Sequence, residues 1–116
     1  MSTYEVDTRG EPPVAVMSLH GNIDRDAMES LTAAYERAVV GDPRTILLDF
    51  GDVDYINSTG IALIVGVLGR ARAESRRVVA SGLSEHYEHI FAITRLSDFI
   101  QLYADVDAAL DGAAAH

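Results

Sequence analysis

The sequence predicts an α/β domain with a mostly parallel, mixed sheet of about five strands, an antiparallel edge strand and about four helices. Two strand-like segments open the chain, and from there apolar strand segments alternate with segments of helical periodicity. The chain has 116 residues, of which 48% are hydrophobic and 23% charged, an ordinary globular composition. We therefore expect one domain over residues 1–116, with its core over about 3–111.

The opening segments predict a hairpin. Residues 3–8 and 14–20 are rich in β-branched and aromatic side chains, and the two prolines of segment 10–13 favour a turn between them. The first strand would then be the antiparallel edge. Gly21 and Asn22 are expected to break the second strand.

Three further segments predict buried strands. These are TILLDF at 45–50, RVVAS at 77–81 and FIQLYA at 99–104. Glycine and aspartate in the segment 51–54 favour a turn after the first of them.

Helical periodicity fills the intervals between these strands. Helices are expected over 24–40 with Asp24 as N-cap, from Ser58 to about 75, over 84–94 and over 105–110. The stripe of the first helix that should be buried comprises Ala27, Leu31, Ala34, Tyr35 and Ala38. In the third, Tyr87, Ile90 and Phe91 begin a stripe that Ile93 continues imperfectly.

The second helix is apolar on more than one side. Its sheet-facing stripe is expected to be Ile61, Ile64, Val65, Leu68 and Ala71. Leu63 and Val67 fall on the opposite side, where water is expected. Either they form a docking surface for a partner, or another part of the chain covers them.

Asn57-Ser58-Thr59 stands where this helix begins. An asparagine or serine there can cap the free amides of the first turn. The same amides favour anions, so a phosphate on Ser58 would also be tolerated. Thr59 is a second candidate for phosphorylation, but it is disfavoured because its place inside the helix suggests a structural role.

Charge and motifs exclude several classes of function. The net charge of −9 opposes binding to nucleic acid and to anionic membranes. No cysteine, P-loop or dinucleotide-binding glycine pattern is present, so we expect no cofactor and no enzymatic activity.

His86 and His89 share a helix face, but a third metal ligand is not indicated. The absence of an export signal or a membrane-length apolar run predicts a cytoplasmic protein.

Two charged clusters have alternative interpretations. Asp24, Asp49, Asp52 and Asp54 could form an acidic rim that meets a basic partner, or could be ordinary turn and cap residues. The segment 70–77 contains four arginines, for which complementing the helix dipole is favoured over binding an anion.

Three motifs resemble one family. GDVDYINSTGIALIVGVL resembles the signature of STAS-domain proteins of the anti-sigma-factor antagonist type, with the pattern D-x-x-x-[IFM]-D-S-[ST]-G before an apolar helix. LHGNID at 19–24 is similar to their L-x-G-E-[IL]-D element. FAITRLSDFIQLYADVDAAL at 91–110 is similar to their closing stretch.

The resemblance implies a switch without catalysis. The serine after the signature aspartate, here Ser58, is phosphorylated by an anti-sigma factor with serine-kinase activity, and a phosphatase resets it. Unphosphorylated, the antagonist binds the anti-sigma factor and releases the sigma factor. The surface expected to bind the partner comprises Asn22, Asp24, Asp54, Asn57, Ser58, Thr59, Gly60, Leu63 and Val67.

Two residues depart from the family pattern. Asn57 stands where aspartate is common, and Asn22 where glutamate is frequent. The alternative function is therefore a scaffold subunit of a signalling or transporter assembly that keeps the STAS fold without phosphorylation.

Overall fold

The computed structural model describes residues 4–10 and 12–114, except the side chain of Ala114. The strands are β1 (Glu5–Arg9), β2 (Val14–Ile23), β3 (Thr45–Ile56), β4 (Arg77–Ser81) and β5 (Gln101–Tyr103). The helices are α1 (Met28–Ala38), α2 (Ser58–Ala73), α3 (Glu85–Ile93) and α4 (Val106–Ala114), with short 3₁₀ helices at Arg25–Ala27 and Leu96–Asp98.

The five strands form one mixed sheet in the order β1-β2-β3-β4-β5. β1 pairs with β2 in antiparallel fashion, and the other neighbours are parallel. The predicted α/β class with an antiparallel edge strand is confirmed.

Helices cover both faces of this sheet. α1, α2 and α3 contribute to the larger core with side chains such as Leu31, Ile64 and Phe91. α4 packs on the other face, where Ala109 and Ala113 join a smaller cluster. Because both faces of the central strands are covered, β3 begins with a continuous apolar run instead of an alternating one.

β2 and β3 are longer than predicted. Gly21-Asn22 does not break β2, and residues 51–54 are not a turn but part of β3. Pairing continues to Ile23 and Ile56 through two register shifts, and Gly21 takes a positive φ of 70°. The turn-forming residues are accommodated by β-bulges, which the local composition could not distinguish from a turn.

The helices confirm the predicted positions but not every boundary. Asp24 caps as expected, although the helix begins as a 3₁₀ turn and ends at Ala38, before Val40. The whole predicted stripe of this helix is buried. α4 runs beyond 110 to Ala114, and β5 is shorter than predicted. Ile93 does not continue the α3 stripe, since 64% of its surface is exposed.

α2 faces the core differently from the prediction. Its buried residues are Gly60, Ile64, Val67 and Ala71, whereas Val65 is 47% exposed. α1 packs beside α2 and widens the buried arc toward Val67. Of the two alternatives for Val67, coverage by another part of the chain is therefore confirmed, whereas the expected place of Val65 in the sheet-facing stripe is wrong.

An ionic cluster joins the end of α2 to the end of α1. Arg76 Nη1 donates to Asp42 Oδ1 (2.9 Å), and its Nε donates to Glu74 Oε1 (3.0 Å). The Tyr35 hydroxyl also donates to Glu74 Oε1, over 2.9 Å. The hydrogen bond from Arg76, followed by that from Tyr35, holds the pKa of Glu74 below its ordinary value.

We expect the stabilisation that Glu74 provides to depend on pH. Because its pKa is lower in the folded state, the contribution should be complete above the ordinary value of 4.5 and fade as pH falls through the folded-state pKa. Thermal unfolding of the wild type and Glu74→Gln should therefore differ near neutral pH and converge in acid. Glu5→Gln, on the exposed edge strand, controls for the loss of one charge. A difference that stays constant down to acid pH would contradict this assignment.

Candidate functional site

The candidate site lies where the ends of β2 and β3 meet the start of α2. Strand pairing places Asn22 beside Tyr55 and Ile23 beside Ile56. The chain then continues from β2 into the Asp24 cap and from β3 into Asn57. The carboxyl ends of two parallel strands and two helix starts thus lie at one edge of the sheet, a position typical of binding sites in α/β folds.

Gly60 fixes the distance between α2 and β2. A Cβ atom built on Gly60 would lie 1.9 Å from the carbonyl oxygen of Ile23 and 3.0 Å from Cγ2 of Ile56. No real side chain tolerates such contacts, so only glycine permits this approach. Packing inside this chain therefore explains the glycine at this position of the signature, independently of any partner.

Asn57 is the N-cap of α2. Its Oδ1 accepts from the Gly60 amide over 2.8 Å, and its carbonyl accepts from the Ile61 amide over 2.9 Å. Its own amide donates to the carbonyl of Ile23 over 3.2 Å. Asparagine therefore caps the helix and ties it to β2 without the carboxylate that the family pattern favours.

The hydroxyls of Ser58 and Thr59 are not needed for this cap. Both side chains are exposed, and they follow the cap as the first two residues of α2. Within residues 4–10 and 12–114, no acceptor binds the backbone amides of these two residues. The helix start therefore presents two free donors beside an accessible serine, which is a favourable setting for an anion.

Tyr87 stabilises the end of β3, from which the chain continues to Asn57 and Ser58. Its hydroxyl accepts from the backbone amide of Ile56 over 2.8 Å in a buried hydrogen bond. α3, which carries Tyr87, begins at the cap residue Ser84. The sequence places Tyr87 on a buried stripe, but nothing in it indicates this bond to a strand 31 residues away.

The acidic residues have different roles. Asp24 Oδ1 accepts from the Asp26 amide, and Asp49 Oδ1 accepts from the Gly51 amide, each over 3.0 Å. These two carboxylates therefore serve local structure. Asp52 and Asp54 are exposed on β3, so a partner can reach them. Of the residues considered for an acidic rim, Asp52 and Asp54 are therefore the two whose carboxylates have no local capping or turn contact among the described residues.

The remaining partner-binding candidates are placed unequally. Asn22 is exposed and Asp24 half-buried near the start of the first 3₁₀ turn. Leu63 is half-buried in a cleft of about 240 Å³ between α1 and α2, with Val67 nearly covered below it. Gly60 is buried and supports the site without presenting a surface.

Metal binding and membrane insertion receive no support from the described structure. Over residues 4–10 and 12–114, no group of three or more histidine, aspartate or glutamate side chains converges on a point, His86 and His89 included. None of the helices in this part of the chain combines the length and apolarity that crossing a bilayer requires.

The comparisons with known proteins identify the family. The family model for the STAS domain matches residues 5–109. The anti-sigma-B factor antagonist of Listeria monocytogenes is 30% identical over 92 residues, which cover 79% of this chain and 80% of that protein. The chain belongs to the STAS-domain family of anti-sigma factor antagonists. The relatives that carry this assignment are described as antagonists of anti-sigma factors, which is a regulatory role.

Solved structures share the fold at lower identity. The anti-sigma factor antagonist SpoIIAA matches in its unphosphorylated form with a TM-score of 0.75 and 19% identity, covering 98% of this chain and 100% of that one. Its phosphorylated form from Bacillus matches with a TM-score of 0.72 and 21% identity, covering 96% and 99%. A sulfate transporter family protein from Wolinella succinogenes matches with a TM-score of 0.77 and 16% identity, covering 88% and 85%.

Substitution of Gly60 tests the close contact between α2 and β2. Gly60→Ala should lower the free energy of unfolding by about 3 kcal/mol, the upper end for overpacking, because the new methyl group meets backbone. Gly66→Ala is the matched control, since its Cβ would meet nothing within 4 Å. It should raise stability by roughly 0.5–1 kcal/mol through helix propensity. Urea denaturation measures both, and equal effects would contradict the packing role.

Substitution of Asn57 tests its role as the cap. Asn57→Ala should cost about 1 kcal/mol of unfolding free energy, since the Gly60 amide loses its acceptor. Asn57→Asp keeps the acceptor and adds a charge that the helix start favours, so it should retain or exceed wild-type stability. Chemical denaturation of the three proteins checks the order; an alanine variant as stable as the wild type would exclude the cap.

Proposed function

We propose that this chain is an anti-sigma factor antagonist whose binding to an anti-sigma factor is controlled by phosphorylation of Ser58. The observation that carries the proposal is the division between Asn57, which caps α2, and Ser58, which stays exposed beside free amides. The serine can therefore gain a phosphate without loss of the cap. The resemblance of the motif around Ser58 to the family signature supports the same position.

The partner in this proposal is an anti-sigma factor that is also a serine kinase. Its active site would deprotonate the Ser58 hydroxyl, and the oxygen would attack the γ-phosphorus of ATP with ADP as the leaving group. A separate phosphatase would restore the hydroxyl by hydrolysis. The chain itself would act as binder and substrate, not as catalyst.

Unmodified protein would bind through the surface around Ser58. That surface combines the polar residues Asn22 and Ser58 with the acidic residue Asp54. Leu63 adds an apolar contact in the adjacent cleft between α1 and α2. Val67 would contribute mainly through packing, since only 8% of its surface is exposed.

Phosphate would release the partner by charge. A phosphoserine adds a charge of about −1.5 to −2 at neutral pH. It would enter a region that already carries the exposed carboxylates of Asp52 and Asp54, in a chain with a net charge of −9. The α2 amides would offset its effect on the fold, whereas a partner surface fitted to a neutral hydroxyl would be repelled or displaced.

One observation favours a second function. Asn57 removes the carboxylate that stands before the serine in the family pattern, and a kinase that uses it for orientation would act slowly or not at all. The chain would then be a scaffold subunit that keeps the STAS fold. The sulfate transporter family protein from Wolinella succinogenes shows that the fold also occurs outside the antagonists.

We expect Ser58 to be the single phosphorylation site. Incubation of the chain with the anti-sigma kinases of its own genome and ATP should add one phosphate by intact mass. Ser58→Ala should add none, whereas Thr59→Val, the matched control on the next residue, should still be phosphorylated. Ser58→Glu should weaken binding to the same kinase at least tenfold, with Ser58→Gln as the uncharged control of similar size.

The outcomes separate the two functions. Absence of phosphate on the wild type, together with partner binding that Ser58→Glu leaves unchanged, would favour the scaffold. If Ser58→Glu and Ser58→Gln both lower the melting temperature by many degrees, the serine is structural and the proposal fails.

A further inference from the structure

A second cleft lies between the C-terminal half of α2 and the segment that follows α3. Its volume is about 440 Å³, within the range of small-molecule sites. Its walls include Val65, Leu68, Arg72, Val78, Leu96 and Phe99. Arg72 lies 14 residues after Ser58 on the same helix, roughly 21 Å along its axis at 1.5 Å per residue. The cleft is therefore separate from the candidate phosphorylation site.

The cleft exposes large apolar side chains to water. Phe99 is 60% exposed and Val65 is 47% exposed. Leu68, Val78 and Leu96 add aliphatic side chains to the wall. Covering these groups would be favourable in proportion to the apolar area removed from water.

The rim of the cleft carries positive charge in an acidic protein. Arg72 lies over the Phe99 ring, with its guanidinium carbon 5.6 Å from the ring centroid. Arg77 borders the cleft, but its side chain lies with Val79 on the opposite face of the sheet, where its Nη2 donates to Gln101 Oε1 over 2.6 Å. In the part of the chain that the structure describes, Arg72 has no carboxylate within salt-bridge distance. Arg76 differs, since Asp42 and Glu74 already neutralise it.

We propose that this cleft binds a small anionic amphiphile, with a carboxylate head at Arg72 and an apolar chain along the aliphatic wall. A guanidinium suits a carboxylate because its planar set of donors matches the two oxygens. The net charge of −9 disfavours an anion over the surface as a whole, so an arginine without an acidic partner marks a specific place for it. The site does not depend on the proposed control by Ser58.

Decanoate is a suitable probe for this site. Titrated below its micelle concentration into the isolated chain, it should bind with a dissociation constant on the order of 1 mM or tighter. Amide chemical-shift changes in ¹H–¹⁵N spectra should concentrate on residues 65–78 and 94–101. Decanol, which lacks the charge, and acetate, which lacks the chain, should each bind at least tenfold more weakly.

Substitutions separate the head from the chain. Arg72→Gln should weaken decanoate at least tenfold and bring its affinity close to that of decanol. Val65→Ala should weaken decanoate and decanol by similar factors, since it removes apolar contact only. Arg9→Gln, an exposed arginine on β1, is the matched control and should bind as the wild type. Circular dichroism during each titration confirms that the fold is retained.

Three outcomes would overturn the proposal. The first is no saturable binding of decanoate by the folded wild type. The second is binding that Arg72→Gln leaves unchanged, or shifts that fall mainly elsewhere. The third is a ligand-free dimer, seen by sedimentation and abolished by Phe99→Ala, which would make a second copy of the chain the occupant. Because no kinase or ATP is present, failure here leaves the test of Ser58 unaffected.

Discussion

The site depends on one backbone contact, the approach of α2 to the carbonyl of Ile23. The Asn57 amide donates to that oxygen, and Gly60 leaves room for it where any Cβ would clash. These two interactions hold the first turn of α2 against the end of β2. They also orient the intervening Ser58 and Thr59 toward solvent, because the cap and the glycine occupy the inner side. Ser58 is therefore exposed because Asn57 and Gly60 make the inward contacts of this helix turn, and not because of a property of serine itself.

The division of roles at the helix start explains why an asparagine is compatible with this architecture. An N-cap needs an acceptor oxygen, and an amide supplies one as an aspartate does. What the amide lacks is a negative charge beside Ser58. The fold does not depend on this charge, whereas a kinase or a partner that recognises the charge would respond to its loss. Structure and regulation thus place separate demands on one position, and the contacts of Asn57 satisfy the structural demand completely.

Local patterns predicted the parts of this fold that local forces determine. Asp24 and Asn57 cap their helices, and β4 has the predicted limits, because caps and short buried strands are set by nearby residues. Tertiary effects account for the errors. Bulges carried β2 and β3 through residues that favour turns, and α1 covered Val67. The motif located Ser58, but the bond from Ile56 to Tyr87 joins residues far apart in sequence, so no local pattern could predict it.

The character of α2 follows from its position between three different surroundings. One side packs on the sheet through Ile64 and Ala71, a second meets α1 through Val67, and a third borders the cleft through Val65 and Leu68. A helix with apolar contacts on three sides has no single buried stripe. A division into one buried and one exposed face therefore placed Val65 on the buried side and Val67 on the exposed side, whereas the structure has the reverse. Its apolar residues outside the core are therefore informative: they belong to neighbouring surfaces, and the cleft beside Arg72 leaves Val65 and Phe99 largely exposed.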